Sequence, residues 1–163
     1  MRNQCYIMIG CSGSGKSTVT KEHSLSFKGS KTTLVVSADN YQEPGAPFNV
    51  SKLEECHERC LHDFVEFVAE SEFSPEIDHA IYVDNTNTRL EEIIPYYRVA
   101  RAFGYDVTLI YVNTDIPVQV AFERNKHGTP RDTISAQLDR ISRLQIPHYI
   151  KRSSVVIDNW RFK

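Results

Sequence analysis

Five short apolar runs punctuate the chain, and none alternates strictly with polar residues. They are Cys5 to Ile9 (CYIMI), Thr32 to Val36 (TTLVV), Ala80 to Val83 (AIYV), Val107 to Val112 (VTLIYV) and Ser154 to Ile157 (SVVI). Each has the length of a strand, and continuous apolarity predicts strands covered on both faces of a parallel sheet. Between the runs the period changes. Leu53, Cys56, Cys60, Phe64, Phe67 and Val68 recur at helical spacing behind Ser51 and Glu54, a capping-box pair. Leu90, Ile93, Ile94, Tyr97, Ala100 and Phe103 do the same behind Thr88 and Glu91, and Gly104 stands where a helix end favours glycine. Pro95 predicts a kink or a short first segment in that helix. A third stripe, Ile134, Leu138, Ile141 and Leu144, follows Asp132. Strands and helices in alternation predict a doubly wound α/β sheet with ligands at the carboxyl ends of its strands.

The length, 163 residues, suits one domain spanning 1–163, large enough to bury a full core without crosslinks. With 40% apolar and 25% charged residues, the composition is that of a globular protein and not of a disordered chain or coiled coil. No apolar run approaches a bilayer span, and the start, MRNQC, has no secretory apolar region. A cytoplasmic setting without membrane contact is the expectation. The net charge of −2 means that an anionic ligand must be held by local arrangement and not by a global field. The four cysteines do not read as a disulfide framework. Cys56 and Cys60, one helical turn apart and close to His57 and His62, offer metal ligands, although inert thiols are the simpler reading. The breaker-rich segment from Glu43 to Pro47 reads as a loop within the domain.

The stretch Gly10-Cys11-Ser12-Gly13-Ser14-Gly15-Lys16-Ser17 fits G-x-x-x-x-G-K-[ST] at every fixed position, between a strand and a helix. Glycines let the backbone wrap a phosphate with its N–H groups turned inward, and the helix start adds partial positive charge. Ser12, Gly13, Ser14, Gly15, Lys16, Ser17 and Thr18 are therefore the nucleotide-binding candidates, with ATP or another nucleoside triphosphate as ligand. Lys16 is expected to bridge the terminal phosphates and Ser17 to hold Mg²⁺. The fold class that follows is a kinase-type P-loop NTPase: a three-layer sandwich on a mainly parallel five-stranded sheet, with a helical lid. Asn125-Lys126-His127-Gly128 lacks the Asp of a guanine-specifying N-K-x-D, and a chain this small suits a phosphotransferase better than a motor.

A kinase needs a carboxylate beside the acceptor hydroxyl. Asp39 ends the second strand in Ser37-Ala38-Asp39-Asn40-Tyr41 and is the candidate base. Asp84 ends the third strand, where a carboxylate orients Mg²⁺. Asn85, Thr86 and Asn87 follow it on a polar turn suited to the acceptor. The basic run from Arg124 to Arg131 lies between two helices and predicts a lid at about 124–132. From such a lid an arginine is expected to neutralise transition-state charge through its planar fork.

Together GCSGSGKST, VSADNY, VDNTNT and ERNKHGTPRDTI, in this order and spacing, resemble the phage-type polynucleotide 5′-kinases and their P-loop relatives, from about Tyr6 to Ser142. The resemblance implies ATP-dependent transfer of a γ-phosphate to the 5′-hydroxyl of DNA or RNA, so a single-stranded nucleic acid end is the implied substrate. By matched position it makes Lys16, Asp39 and Arg124 catalytic and places Asn85, Thr86 and Asn87 on the acceptor side. The phage enzymes carry an acceptor-binding arginine three residues after the base, and here that position is Gln42. Asn85 replaces the acidic residue that orients that arginine. The substitutions point to an acceptor held by other groups, with Lys52, Arg89 and Arg131 as the cationic candidates, or to a nucleoside or other small hydroxyl acceptor. A nucleotide-binding module without turnover is the third reading. Trp160 and Phe162 are candidates for stacking bases. The repair members' phosphatase motif, D-x-D-x-T, does not occur.

Overall fold

The computed structural model describes residues 3–26, 31–43 and 49–162. Most of the breaker-rich loop, 44–48, lies outside them. The strands are β1 (Gln4–Ile9), β2 (Lys31–Val36), β3 (Asp78–Val83), β4 (Asp106–Val112) and β5 (Ser154–Ile157). The helices are α1 (Lys16–Ser26), α2 (Leu53–Glu70), α3 (Leu90–Ala102), α4 (Val118–Arg124), α5 (Arg131–Arg143) and the single turn α6 (His148–Lys151). Every strand pair is parallel, and the order is β2-β3-β1-β4-β5. The five apolar runs are the five strands. β1 and β3 are buried parallel strands, which need no polar face. The edge strand β5 leaves Val155 and Val156 exposed, so the expected cover on both faces does not extend to it.

The side chains of β1 sort to two layers. Cys5, Ile7 and Ile9 join the larger core with Phe64 and Val68 of α2 and Ile93 and Ala100 of α3. Tyr6 and Met8 point to the opposite face, where Val19 of α1 and Tyr82 of β3 meet them. On that face Tyr6 stacks on Tyr82 at 4.8 Å, and the Tyr82 hydroxyl lies 2.8 Å from His23 Nδ1. On the other face Phe64 meets Tyr96 edge-on at 5.0 Å, each ring contributing about 1.5–3 kcal/mol by burial.

The helices differ from expectation in three places, two at their ends and one inside α3. Ser51 lies in a 3₁₀ turn, Val50–Lys52, and bonds Asn49 Oδ1 at 2.7 Å, so it does not cap α2. The α3 capping box is one residue later than Thr88 and Glu91: the Glu92 carboxylate accepts the Arg89 N–H at 3.1 Å. The helix runs unbroken through Pro95, whose missing N–H removes one bond near the start without dividing the helix. Gly104 does close α3. At φ 74 it lets Tyr105 N–H reach the Ala100 carbonyl (2.9 Å) and its own N–H reach Arg101 (3.2 Å), a Schellman end.

Candidate active site

The carboxyl ends of β1, β2 and β3 open into one cleft of about 900 Å³, within the range of small-molecule sites. Its centre is the loop after β1. Gly10 N–H donates to Thr86 O at 3.1 Å, tying the loop to the β3 turn, and Ser14 N–H closes on Cys11 O at 3.1 Å. Gly13 (φ 80) and Gly15 (φ 97) are left-handed, a conformation that costs any L side chain. A Cβ on Gly13 would stand 1.9 Å from the Ala121 carbonyl oxygen, so α4 packs directly on that glycine. The N–H groups of the first turn of α1 have no intrahelical acceptor and face the cleft, as a phosphate site requires.

Two asparagines that the sequence reading did not connect with the loop brace it and the strand that leads into it. Asn113, at the end of β4, donates to Ser14 O at 2.8 Å, and Asn87 donates to Met8 O at 2.7 Å. Both are buried and left-handed, at φ 47 and 46, a region Asn visits more readily than other non-glycine residues. The only local signal for Asn113 was an Asn directly after an apolar run.

Lys16 is nearly buried and donates to Cys11 O at 2.9 Å. Burial pushes its pKa down, while the charges of Asp84, Cys11 and Asp39 oppose that shift. Asp84 is 8% exposed, and burial raises its pKa against the pull of Lys16 and a hydrogen bond from Ser17. Its Oδ1 is buried and has no hydrogen-bond partner among the described residues. An orphaned carboxylate oxygen beside a serine hydroxyl is a donor set that a hard divalent cation completes, so Ser17 and Asp84 fit Mg²⁺. Ser14 Oγ is likewise buried and unpartnered.

Asp39 sits in the 3₁₀ turn Ala38–Tyr41 after β2 and lines the cleft. Its turn is held from both sides. Asn85 Oδ1 accepts the Ala38 N–H at 2.8 Å, and the Tyr41 hydroxyl donates to Asp63 of α2. Across the cleft, His127 of the segment between α4 and α5 brings Nε2 to 3.6 Å from Asp39 Oδ2. Arg124 lines the cleft from the end of α4 and donates to the Trp160 carbonyl at 2.9 Å. Trp160 itself packs on the core, its Nε1 bonding Asp115 at 3.0 Å, which leaves it a structural part and not a stacking platform. The Phe162 side chain lies outside the described residues.

Ser12 through Thr18, Asp39, Asp84, Asn85, Thr86 and Arg124 thus share one cleft, whereas Gln42, Asn87 and Arg131 do not line it. The Gln42 amide instead faces Cys56 Sγ (3.6 Å) and the Asn49 N–H (3.4 Å). The Asn85 amide bridges Ala38 and Cys60 Sγ (3.4 Å), so its side chain ties the β3 turn to the Asp39 turn. Cys56 and Cys60 are buried thiols. Among the described residues, the cluster with metal-ligand spacing is His62, Asp63 and Glu66, of which His62 and Glu66 are exposed and Asp63 is half-buried, and neither Cys56 nor Cys60 belongs to it. The sequence reading missed the polar side of α5. Thr133, Gln137 and Arg140 repeat at helical spacing along the cleft, and Gln137 Oε1 accepts the Ser12 N–H at 2.8 Å.

With this geometry in place, comparison with known proteins decides the family. A family model described as AAA domain matches residues 6–145. The chain belongs to that family. Its fold is that of a P-loop kinase, as solved structures bear out. A chain of the Pnkp1/Rnl/Hen1 RNA repair complex matches 87% of this chain at TM-score 0.59 and 14% identity. This chain spans only 45% of that one. A sugar kinase from Janibacter sp. HTCC2649 matches over 99% of this chain and 87% of its own, at TM-score 0.57 and 19% identity. The Mycobacterium tuberculosis APS kinase CysC, solved with AMPPNP and APS, matches over 96% and 90%, at TM-score 0.56 and 21% identity. At such identities the likeness is one of fold, shared by kinases with different acceptors. Among the described residues, no helix is long and apolar enough to cross a membrane.

Proposed function

We propose that this P-loop kinase transfers the γ-phosphate of ATP to the 5′-hydroxyl end of a polynucleotide. The observation that carries the reading is the meeting of the P-loop, Asp39, Asp84 and Arg124 in one cleft. The amides of the loop and Lys16 bind the donor phosphates. Ser17 and Asp84 hold Mg²⁺, which when bound neutralises phosphate charge. Asp39 accepts the proton of the acceptor hydroxyl as its oxygen bonds the γ-phosphorus. The bond from that phosphorus to the bridging oxygen breaks, and ADP leaves. Arg124 faces the charge that spreads over the transferring oxygens. The acceptor assignment draws its support from the four sequence blocks and from the likeness to a chain of an RNA repair complex.

A second acceptor, a nucleoside or other small hydroxyl compound, is favoured by one observation: Gln42 turns away to Cys56 and Asn49. Labelled γ-phosphate supplied with a 5′-hydroxyl oligonucleotide, with free nucleosides, and with neither separates the readings. Label in the oligonucleotide is the expected result. Label in nucleosides alone selects the second acceptor, and ATP binding without any transfer would leave a nucleotide-binding module.

A further inference from the structure

β5 is an edge of the sheet, hydrogen-bonded on one side to β4. The Leu109 N–H donates to Ser153 O at 3.0 Å, and the Asn113 N–H donates to Ile157 O at 2.7 Å. Backbone groups alternate between the two sides of a strand, so Ser153, Val155 and Ile157 turn theirs to β4. Ser154 and Val156 therefore aim their N–H and C=O groups out of the sheet. The side chains are open as well: Val155 is 49% and Val156 70% exposed. Such an edge is ordinarily blunted by charge or proline, and Ser-Val-Val-Ile carries neither. The opposite edge differs. β2 exposes Thr32 and Thr33 and keeps Leu34, Val35 and Val36 at least partly covered. After β5 the backbone N–H groups of Asn159 and Trp160 both donate to Asn113 Oδ1, and Arg161 bonds Asp115 at 3.1 Å. Residues 159–161 thus fold toward the end of β4 and leave the β5 edge open.

The flanks of the strand decide what can pair with it. Lys151 and Arg152 precede β5 and Asp158 follows it, all of them exposed. A two-fold axis through Val155 runs two copies of the strand antiparallel, with each Ser154 opposite the other copy's Val156. In that register Ser154 and Val156, whose backbone groups face outward, form the hydrogen-bonded pairs, and the two Val155 side chains meet in the close, non-hydrogen-bonded pair. Arg152 and Asp158 stand at equal distances from Val155 along the chain, so each Arg152 comes opposite an Asp158. A slip of two residues either way sets both charges against uncharged residues instead. We propose that β5 pairs antiparallel with β5 of a second copy of this chain, joining two five-stranded sheets across a two-fold axis. A ladder of 4 residues lies at the small end of interface size, below about 1,200 Å², so the dimer is weak and concentration-dependent. This pairing goes beyond the kinase reading and does not rest on it.

Sedimentation equilibrium of the full chain between about 1 µM and about 1 mM, the span of weak complexes, should show reversible dimer formation. Amide hydrogen exchange at Ser154 and Val156 should slow as concentration rises, while Val155, already bonded to β4, changes far less. Val155→Lys sets two ammonium groups face to face on the axis and should raise the dissociation constant by about tenfold or more. Arg152→Glu and Asp158→Lys should each raise it by about fivefold, and the two together should return it to within about twofold of the wild type. Urea denaturation of each variant is the check on folding. A wild type that stays monomeric throughout would overturn the pairing and leave the edge to a partner of another kind. A dimer indifferent to Val155→Lys, or a double reversal no tighter than either single one, would overturn it too. If Val155→Lys does not fold, the wild-type exchange rates decide: Ser154 and Val156 amides that do not slow with concentration exclude the paired strand.

Discussion

Around the P-loop the cleft is made of backbone, and beyond Asp84 it is made of side chains. In the first region, two left-handed glycines and the start of α1 set the shape, braced by Asn87 and Asn113. In the second, Asp39, Arg89, His127, Gln137 and Arg140 come from four separate segments and owe their placement to packing. A backbone cradle tolerates few substitutions and recognises what all nucleoside triphosphates share. A wall of side chains is free to vary, which explains how one fold appears in a sugar kinase and an APS kinase alike.

The sharpest way to break this contrast is to change one charge on each side. Asp39→Asn should lower kcat on the order of 10²–10⁴-fold while ATP affinity stays within about twofold. Lys16→Ala should lower both, transfer by about 10²–10³-fold. Steady-state kinetics beside equilibrium ATP binding read the difference, and parallel losses in the Asp39 variant would erase the division between donor and acceptor sides.

Backbone shape is tested next. Gly13→Ala meets the Ala121 carbonyl as well as a left-handed backbone, costing about 1–3 kcal/mol for the overlap and about 1–2 kcal/mol for the conformation. Gly15→Ala bears only the second cost, because its Cβ would have Asn113 Nδ2 at 3.9 Å as nearest neighbour. Urea denaturation should rank the two, and equal midpoints would contradict the packing of α4 on Gly13.

Asp84 links the regions through stability. Its carboxyl is harder to ionise in the fold than in the unfolded chain. The metal-free fold therefore holds extra proton just above the ordinary Asp range, and its stability falls as pH rises through that window. In chelator at pH 7, Asp84→Asn should raise the denaturant midpoint, with the gain shrinking in acid. With Mg²⁺ at saturation the wild type should recover the advantage. A variant no more stable than the wild type without metal would show that the buried charge is already compensated.

The smallest effect belongs to the segment between α4 and α5. His127 and Asp39 are both about half exposed, at 54% and 43%, and such pairs contribute about 0.2–1 kcal/mol. His127→Ala should therefore change kcat by no more than about fivefold. A loss as large as that of Asp39→Asn would move His127 into the chemistry itself.

What was readable in advance follows the range of each interaction. The strands emerged within two residues of their positions because continuous apolarity is local, and β5 coincides at both ends. The turn after β1 was readable because its glycine requirement is also local. Helix caps slipped by a residue at Glu92 and moved to Asn49 before α2, since several polar side chains compete for the same free N–H groups. The third apolar stripe was recognised as a core face, but the opposite side of α5 carried no periodic signal beyond ordinary polarity. Arg140 is one arginine among many until Thr88, far away in sequence, orients it.

From its own order of residues, then, this chain specified a parallel α/β sheet, a phosphate-binding loop and a carboxylate at the end of the second strand, all consequences of periodicity and short-range sterics. Only the folded molecule decided that Gln42 turns to α2, that Asn85 braces the turn carrying Asp39, and that Arg89 and Arg140 line the same cleft. Those outcomes depend on contacts between residues far apart in sequence, and local pattern holds no record of which distant side chains will meet.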